Sequence, residues 1–281
     1  MPHDTPHSPP EFHRALFLSD LHLGAHGCQE EEILTFLTQN DAKVTYLLGD
    51  IFDIWDPLFI RWTDRHDRIV ALLRERAARP GGVVYLSGNH DRQVCGVSPE
   101  NLPGRVRLPL MAGRQAVHQT ANGLTYLLLH GDVCDLRLFR FHVCTRIGSR
   151  IDSLLRLLDQ ALAVLRIRFG TEARGPVELA LRAFNALLYR HPRHEARLVA
   201  LAEAAGVDGV ICGHFHIAAL HDRLGKRYVN CGDWTDSCTA VAEAWDGSLR
   251  QVFGGAGPAR IGASVELMPV PGVAPVAMVQ P

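Results

Sequence analysis

Short apolar runs recur along this chain, and each ends on side chains of the kind that bind divalent metal ions. ALFLS (15–19) runs into Asp20 and His22, VTYLLG (44–49) into Asp50 and Asp53, and VVYLSG (83–88) into Asn89, His90 and Asp91. LTYLLLH (124–130) ends on His130 just ahead of Asp132, and VDGVICG (207–213) leads into His214 and His216. The β-branched and aromatic content of these runs, with their flanking glycines, favours strands over helical segments of the same length. Between the early runs, EEEILTFLTQ (30–39) and DRHDRIVALLRERAAR (64–79) repeat apolar residues three or four apart, which predicts helices. Strand, helix, strand in repetition argues an α/β core, of α+β type once the later strands are included. Such sheets place functional groups just beyond the carboxyl ends of their strands.

Carboxylates and imidazoles delivered from several strand ends to one place suit a two-metal hydrolytic site. In extended backbone, residues two apart point the same way, so Asp20 and His22 are expected to share a face, and so are His214 and His216. Gly49, Gly88, Gly131 and Gly213 beside these positions let the backbone turn tightly and come close. A single Asp-x-His arises by chance; five such strand ends in succession do not.

After His130 the regular alternation breaks. Residues 136–192 read as two or three helices inserted into the domain, and EARLVALAEAAG (195–206) as a core helix. RYVNCGDW, CTAVAEAW and SLRQVF read as antiparallel strands closing a second sheet. The expected organisation is a disordered leader (1–13), one domain (14–253) carrying the insertion, and a tail of low order (254–281). His3, His7 and His13 are expected in the solvated leader. A net charge of −1 gives no reason to expect a nucleic-acid partner. The seven cysteines form no CxxC pair, which points to reduced thiols, a cytoplasmic setting and no thiolate zinc site. No apolar stretch reaches the roughly 18–20 residues of a membrane span, and the N-terminus shows no hydrophobic signal segment.

With DxH, GDxxD, GNHD, HGD and GHxH all intact, residues 14–253 resemble the calcineurin-like metallophosphoesterases. The resemblance implies a four-layer sandwich of two mixed sheets flanked by helices, around two divalent ions, usually Mn²⁺, with Fe or Zn as alternatives. It also implies that Asp20, His22 and His216 hold one ion, that Asn89, His130 and His214 hold the other, and that Asp50 bridges them. His90 would then lie beside the substrate phosphate. Asp91 is expected to fix the orientation of His90, and Asp53 and Asp132 to hydrogen-bond ligands from behind. Asn89 and Asp233 are candidate substrate contacts. Ser19, Trp55, Arg61, Arg65, Trp234 and Thr235 are candidate pocket residues, each equally readable as structural.

Three features narrow the resemblance. GDIFDIW departs from the GDxVDRG of protein phosphatases and is similar to the GDxFDxW of the UDP-2,3-diacylglucosamine hydrolases of lipid A synthesis. YVNCGDWTDSCTAVAE resembles the sequence following GHxH in a broad group of their relatives. The insertion, rich in arginine from Arg137 to Arg190 and dense in leucine and phenylalanine, falls where those hydrolases carry a lid. What this implies is a lipid-linked nucleotide substrate, cleaved to UMP and a lipid sugar 1-phosphate. A basic apolar lid further implies peripheral contact with anionic membrane on the cytoplasmic face of the inner membrane. GNHD departs from the GNRD of the best-known of these hydrolases, which leaves a generic phosphodiesterase or phosphomonoesterase as an alternative. A DNA-exonuclease-like enzyme is a second alternative, although the chain carries no hydrophilic basic groove in sequence. A non-catalytic scaffold is a third, but such scaffolds lose ligands that this chain keeps.

Overall fold

The computed structural model describes residues 9–53, 60–91, 111–134 and 193–254. The expected insertion (136–192), residues 1–8 of the leader, and the tail beyond Gly254 lie outside these. Eleven strands among the described residues form two mixed sheets. In the first, β1 (Glu11–Leu18), β2 (Asn40–Leu48), β3 (Val83–Leu86) and β4 (Met111–Gly113) run parallel in that order. Beyond β1, β10 (Thr239–Glu243) and β11 (Leu249–Phe253) add antiparallel strands. In the second sheet, β6 (Thr125–Leu129), β7 (Gly209–Cys212) and β9 (Arg227–Asn230) are parallel, flanked antiparallel by β5 (Gln115–Gln119) and β8 (Ala219–His221).

Alternation along the strands builds the layers. Leu16 and Leu18 of β1 pack with Ile33, Phe36 and Leu37 of α1 (Glu30–Gln39) and with Ile69, Val70 and Leu73 of α2 (Asp64–Ala77). Ala15 and Phe17, on the opposite face, meet Tyr126, Leu128, Ile211 and Val229 of the second sheet. The outer face of that sheet packs Leu127, Leu129, Val210 and Cys212 against Leu198, Val199 and Ala202 of α3 (Arg193–Ala204). Helix, sheet, sheet, helix is the four-layer arrangement expected. Each buried leucine contributes about 1.5–3 kcal/mol, and a one-residue slip of β1 would exchange its two buried faces. Between the sheets the buried Glu243 carboxylate accepts from Arg14 (2.5 Å) and the Ala121 amide (2.8 Å) and pairs with His118 Nε2 (2.8 Å), so its charge is compensated.

Three expectations need correction. β1 begins at Glu11 and pairs with Asn40, Asp41 and Ala42 through residues 11–13, so the ordered domain starts before residue 14. His13 is buried on Asn40 Oδ1 (3.0 Å) rather than solvated. The late strands do not all close the second sheet: β10 and β11 extend the first, through the pairing of Ala15 with Glu243, and β9 lies parallel to β7. Apolar strands buried on both faces carry no sequence mark of which sheet they join.

Candidate metal centre

Because β1, β2 and β3 are parallel, their carboxyl ends share one edge of the first sheet; β6, β7 and β9 do the same in the second. The loops leaving both edges carry the predicted side chains to one place. Asp20 Oδ1 lies 3.3 Å from His216 Nε2 and 3.7 Å from His22 Nε2. Asp50 Oδ2 lies 3.1 Å from His130 Nε2, and Asn89 Oδ1 is 3.2 Å from that same nitrogen. Asp20, His22 and His216 form one cluster of mutually close donor atoms, and Asp50, His130 and His214 another. The backbone amide of His214 donates to Asp20 Oδ2 (2.8 Å), tying the two clusters together.

The expected sharing of a face within each Asp-x-His or His-x-His pair does not describe the local geometry. Asp20, His22, Asp50, His214 and His216 all have left-handed backbone, with φ between 47° and 75°. The strands stop before the ligands, and successive left-handed turns aim the side chains. His214 and His216 consequently point to different clusters. Such φ values are uncommon outside glycine and gather at functional sites. The adjoining glycines are dictated by closeness: a Cβ on Gly88 would sit 2.1 Å from Asp50 Oδ1, and one on Gly213 would sit 1.8 Å from Ser19 Oγ and 2.4 Å from Asp20 Oδ2.

Hydrogen bonds behind the clusters set which nitrogen faces inward. His130 Nδ1 lies 2.8 Å from the Leu48 carbonyl, so that nitrogen keeps its proton and Nε2 is the one that becomes a lone-pair donor once its own proton is lost to an ion. His216 Nδ1 is held at 2.9 Å by Asp233 Oδ2, with the same result. The roles of Asp91 and Asp233 differ from expectation, and that of Asp53 is wider than expected. Asp91 does not orient His90; its buried carboxylate accepts from the backbone amides of Asp50, Ile51, Phe52 and Gly88 at 2.6–3.1 Å, which shapes the loop carrying Asp50. Asp53 takes the expected place of Asp91, with Oδ2 at 3.4 Å from both His90 Nδ1 and His22 Nδ1. Asp233 is fully buried and bound to His216, Thr235 and Ser237, which makes it a support for a ligand and not a substrate contact. Asp132 pairs with Arg114 at 2.5 Å, while the partner behind His130 is the Leu48 carbonyl, an acceptor that no side-chain motif encodes. Of the pocket candidates, Ser19 and Trp234 are fully buried, Thr235 donates to Asp233, Arg61 and Arg65 pair with Glu30 and Glu31, and Trp55 lies outside the described residues.

The electrostatics suit a cation. Burial pushes the Asp50 carboxyl up, but the imidazoles of His130 and His90 outweigh it and hold the group well below the usual range; Asp20 is held low in the same way by His130 and His216. Burial pulls His22 and His130 down, yet the surrounding carboxylates carry both to about 10. Asp20 Oδ1 and His22 Nε2 are buried and make no hydrogen bond. Orphaned buried donors next to one another are what a coordinated ion would satisfy. Imidazole with carboxylate fits Mn²⁺, Fe or Zn alike.

The model of the calcineurin-like phosphoesterase family matches residues 13–218. Among similar proteins, a UDP-2,3-diacylglucosamine hydrolase of Ralstonia nicotianae is 28% identical over 78% of this chain and 82% of its own length. Another of that name, from Sodalis glossinidius, is 28% identical over 85% of this chain and 97% of its own. Among solved structures, a novel archaeal phosphodiesterase aligns over 85% of this chain and 98% of its own, at 11% identity and a TM-score of 0.39.

Proposed function

On the premise that the chain belongs to the calcineurin-like phosphoesterase family and is a metal-dependent phosphoesterase, we propose that it hydrolyses the pyrophosphate of UDP-2,3-diacylglucosamine or a closely related lipid-linked nucleotide. The observation that carries the hydrolytic part is the convergence of seven donors, with buried orphaned atoms among them. Two relatives bearing that substrate in their names, similar over most of the chain, support the lipid part.

In this reading Asp20, His22 and His216 hold one ion, Asn89, His130 and His214 the other, and Asp50 serves both, with Mn²⁺ the expected metal. When bound, the ions supply Lewis-acid activation of water and neutralise charge on the phosphoryl oxygens. The chain's own residues do the positioning. The Leu48 carbonyl and Asp233 lock the tautomers of His130 and His216. Asp53 grips Nδ1 of His90, and the His90 amide donates to Asp50 Oδ1 (2.8 Å), so the ring is fixed against the carboxylate that serves both ions. His90 Nε2, 3.9 Å from Asp50 Oδ2, would then face a phosphoryl oxygen of a bound substrate, to stabilise its charge or protonate the leaving oxygen. Contact of the lid with an anionic membrane surface belongs to the same proposal and rests on the arginine-rich apolar sequence of 136–192. Among the described residues no helix is long and apolar enough to cross a membrane.

The test is UMP release from UDP-2,3-diacylglucosamine by Mn²⁺-supplemented protein, with an aryl phosphodiester assayed in parallel. Release from the lipid, lost by orders of magnitude in Asp50→Ala and His90→Ala, is the expected result. Turnover of the aryl diester alone would reject the lipid substrate and keep the phosphoesterase.

A further inference from the structure

A second group of chemically active side chains lies apart from the ligands above and takes no part in the proposed reaction. Cys28 Sγ, a Glu30 carboxylate oxygen and a ring nitrogen of His66 all lie within 4.8 Å of one another. The three residues are 4%, 5% and 0% exposed. They come from two places in the chain: the loop after His22 with the first residue of α1, and the first turn of α2. His66 Nε2 is buried and has no hydrogen-bond partner. His26, two residues before Cys28, buries a second imidazole nitrogen, Nδ1, likewise without one. The Glu30 charge is met by Arg61 at 3.2 and 3.4 Å, from a side chain that is 43% exposed and has room to turn outward.

Among these three the buried His66 nitrogen has no partner and costs free energy as it stands, while the Glu30 charge is met only by the partly exposed Arg61. We propose that Cys28, Glu30 and His66 hold a single Zn²⁺-class ion, separate from the candidate two-metal centre, which staples the loop after His22 to the first turn of α2. One sulfur, one nitrogen and one oxygen donor suit the borderline softness of Zn²⁺, and thiolate with carboxylate neutralises its charge. A fourth position remains for water. Burial beside Glu30 pushes the Cys28 thiol up, so the thiolate forms only as the ion displaces its proton. His66 Nδ1 accepts the Thr63 amide (3.1 Å) in the α2 capping box, which places the ring proton on Nε2. On coordination that proton moves to Nδ1, where Thr63 Oγ1 at 2.9 Å accepts it and the contact with the Thr63 amide is given up. The absence of a CxxC pair argued against a thiolate zinc site; this site uses one thiolate, with partners that folding brings in.

Titration of the EDTA-stripped full chain with Co²⁺ tests this, since the seven ligands of the other centre include no thiolate. The expected result is a near-ultraviolet thiolate-to-Co²⁺ charge-transfer band saturating at one equivalent and displaced by Zn²⁺. It disappears in Cys28→Ser, needs at least about tenfold more Co²⁺ in His66→Gln, and survives in Asp50→Asn, where the other centre is impaired. No thiolate band in the wild-type chain, or a band that persists in Cys28→Ser, overturns the proposal. The wild-type and His66→Gln titrations decide the matter even if Cys28→Ser fails to fold.

Discussion

Gly88→Ala isolates the geometry of Asp50 from its chemistry. The backbone at Gly88 is not left-handed, so alanine meets no conformational barrier there, and the only obstacle is steric. The new Cβ would lie 2.1 Å from Asp50 Oδ1, 2.6 Å from its amide nitrogen and 2.9 Å from Cγ. Ordinary contact begins at 3.4 Å, so the carboxylate must retreat by about 1.3 Å. Its retreat is blocked from behind, because the Asp50 amide is fixed to Asp91 at 2.6 Å. Overpacking of this kind costs about 1–3 kcal/mol of stability. Displacing a catalytic group by about 1 Å costs about 100-fold in rate. Thermal unfolding and Mn²⁺-dependent hydrolysis of an aryl phosphodiester are measured on the same sample. The expected outcome is a cooperative fold with a slightly lower Tm and kcat down about 100-fold, although no ligand has been removed. Wild-type kcat in Gly88→Ala would falsify the claim that Asp50 must stand where the structure puts it.

Three further outcomes follow from the same geometry. Asp53→Asn weakens the hold on both His22 and His90 at once; activity should fall by about 10–100-fold, and full activity at saturating Mn²⁺ would show that Asp53 is dispensable for both. Asp91→Ala strips the acceptor from four buried amides and should destabilise by at least about 3 kcal/mol, whereas His90→Ala should change little in denaturant melts; equal stability losses would return Asp91 to the role of orienting His90. In the metal-free protein His22 and His130 stand raised to about 10 and His216 is raised well above its ordinary value too, so all three are protonated at pH 7 and must lose a proton to bind an ion. Affinity for the pair of ions should therefore rise with pH, by up to about 1,000-fold per unit near pH 7, and calorimetry in buffers of different ionisation enthalpy should register about three protons released; a buffer-independent heat would contradict this.

The parts of the fold written in local sequence were legible, and those written in pairing were not. α1 occupies residues 30–39 as its periodicity predicts, and the run 64–79 holds α2 to within its C-terminal turn. The strand before each ligand was readable from apolar β-branched runs bounded by glycine. The sheet that β10 and β11 join was not, because Val241 and Ala240 are buried on opposite faces and look alike in sequence. At the site, ligand types were legible because ions demand particular atoms. Supporting roles were not: Asp91 follows His90 in sequence, yet its oxygens face a loop forty residues earlier, while Asp53, from that loop, reaches His90. The carbonyl of Leu48 leaves no trace in a side-chain pattern.

The left-handed ligands explain why so much of the support is backbone. Five non-glycine residues at positive φ cost about 1–2 kcal/mol each, together a cost of the same order as the whole stability of a domain. Such conformations persist only where surrounding contacts outweigh them. Here the Asp20 amide donates to the Gly49 carbonyl (3.0 Å), the His22 amide to the Asp50 carbonyl (3.0 Å) and the Trp234 amide to the Asp20 carbonyl (3.1 Å). Asp91 binds the Asp50 loop from below, and Asp20 Oδ2 binds the amide of His214. Each strained loop is therefore fastened to the next, so the strain of one ligand is resisted by the backbone of another. A bound ion would draw on the same arrangement, since the donors it needs are already held in place and the cost of holding them has been met in folding.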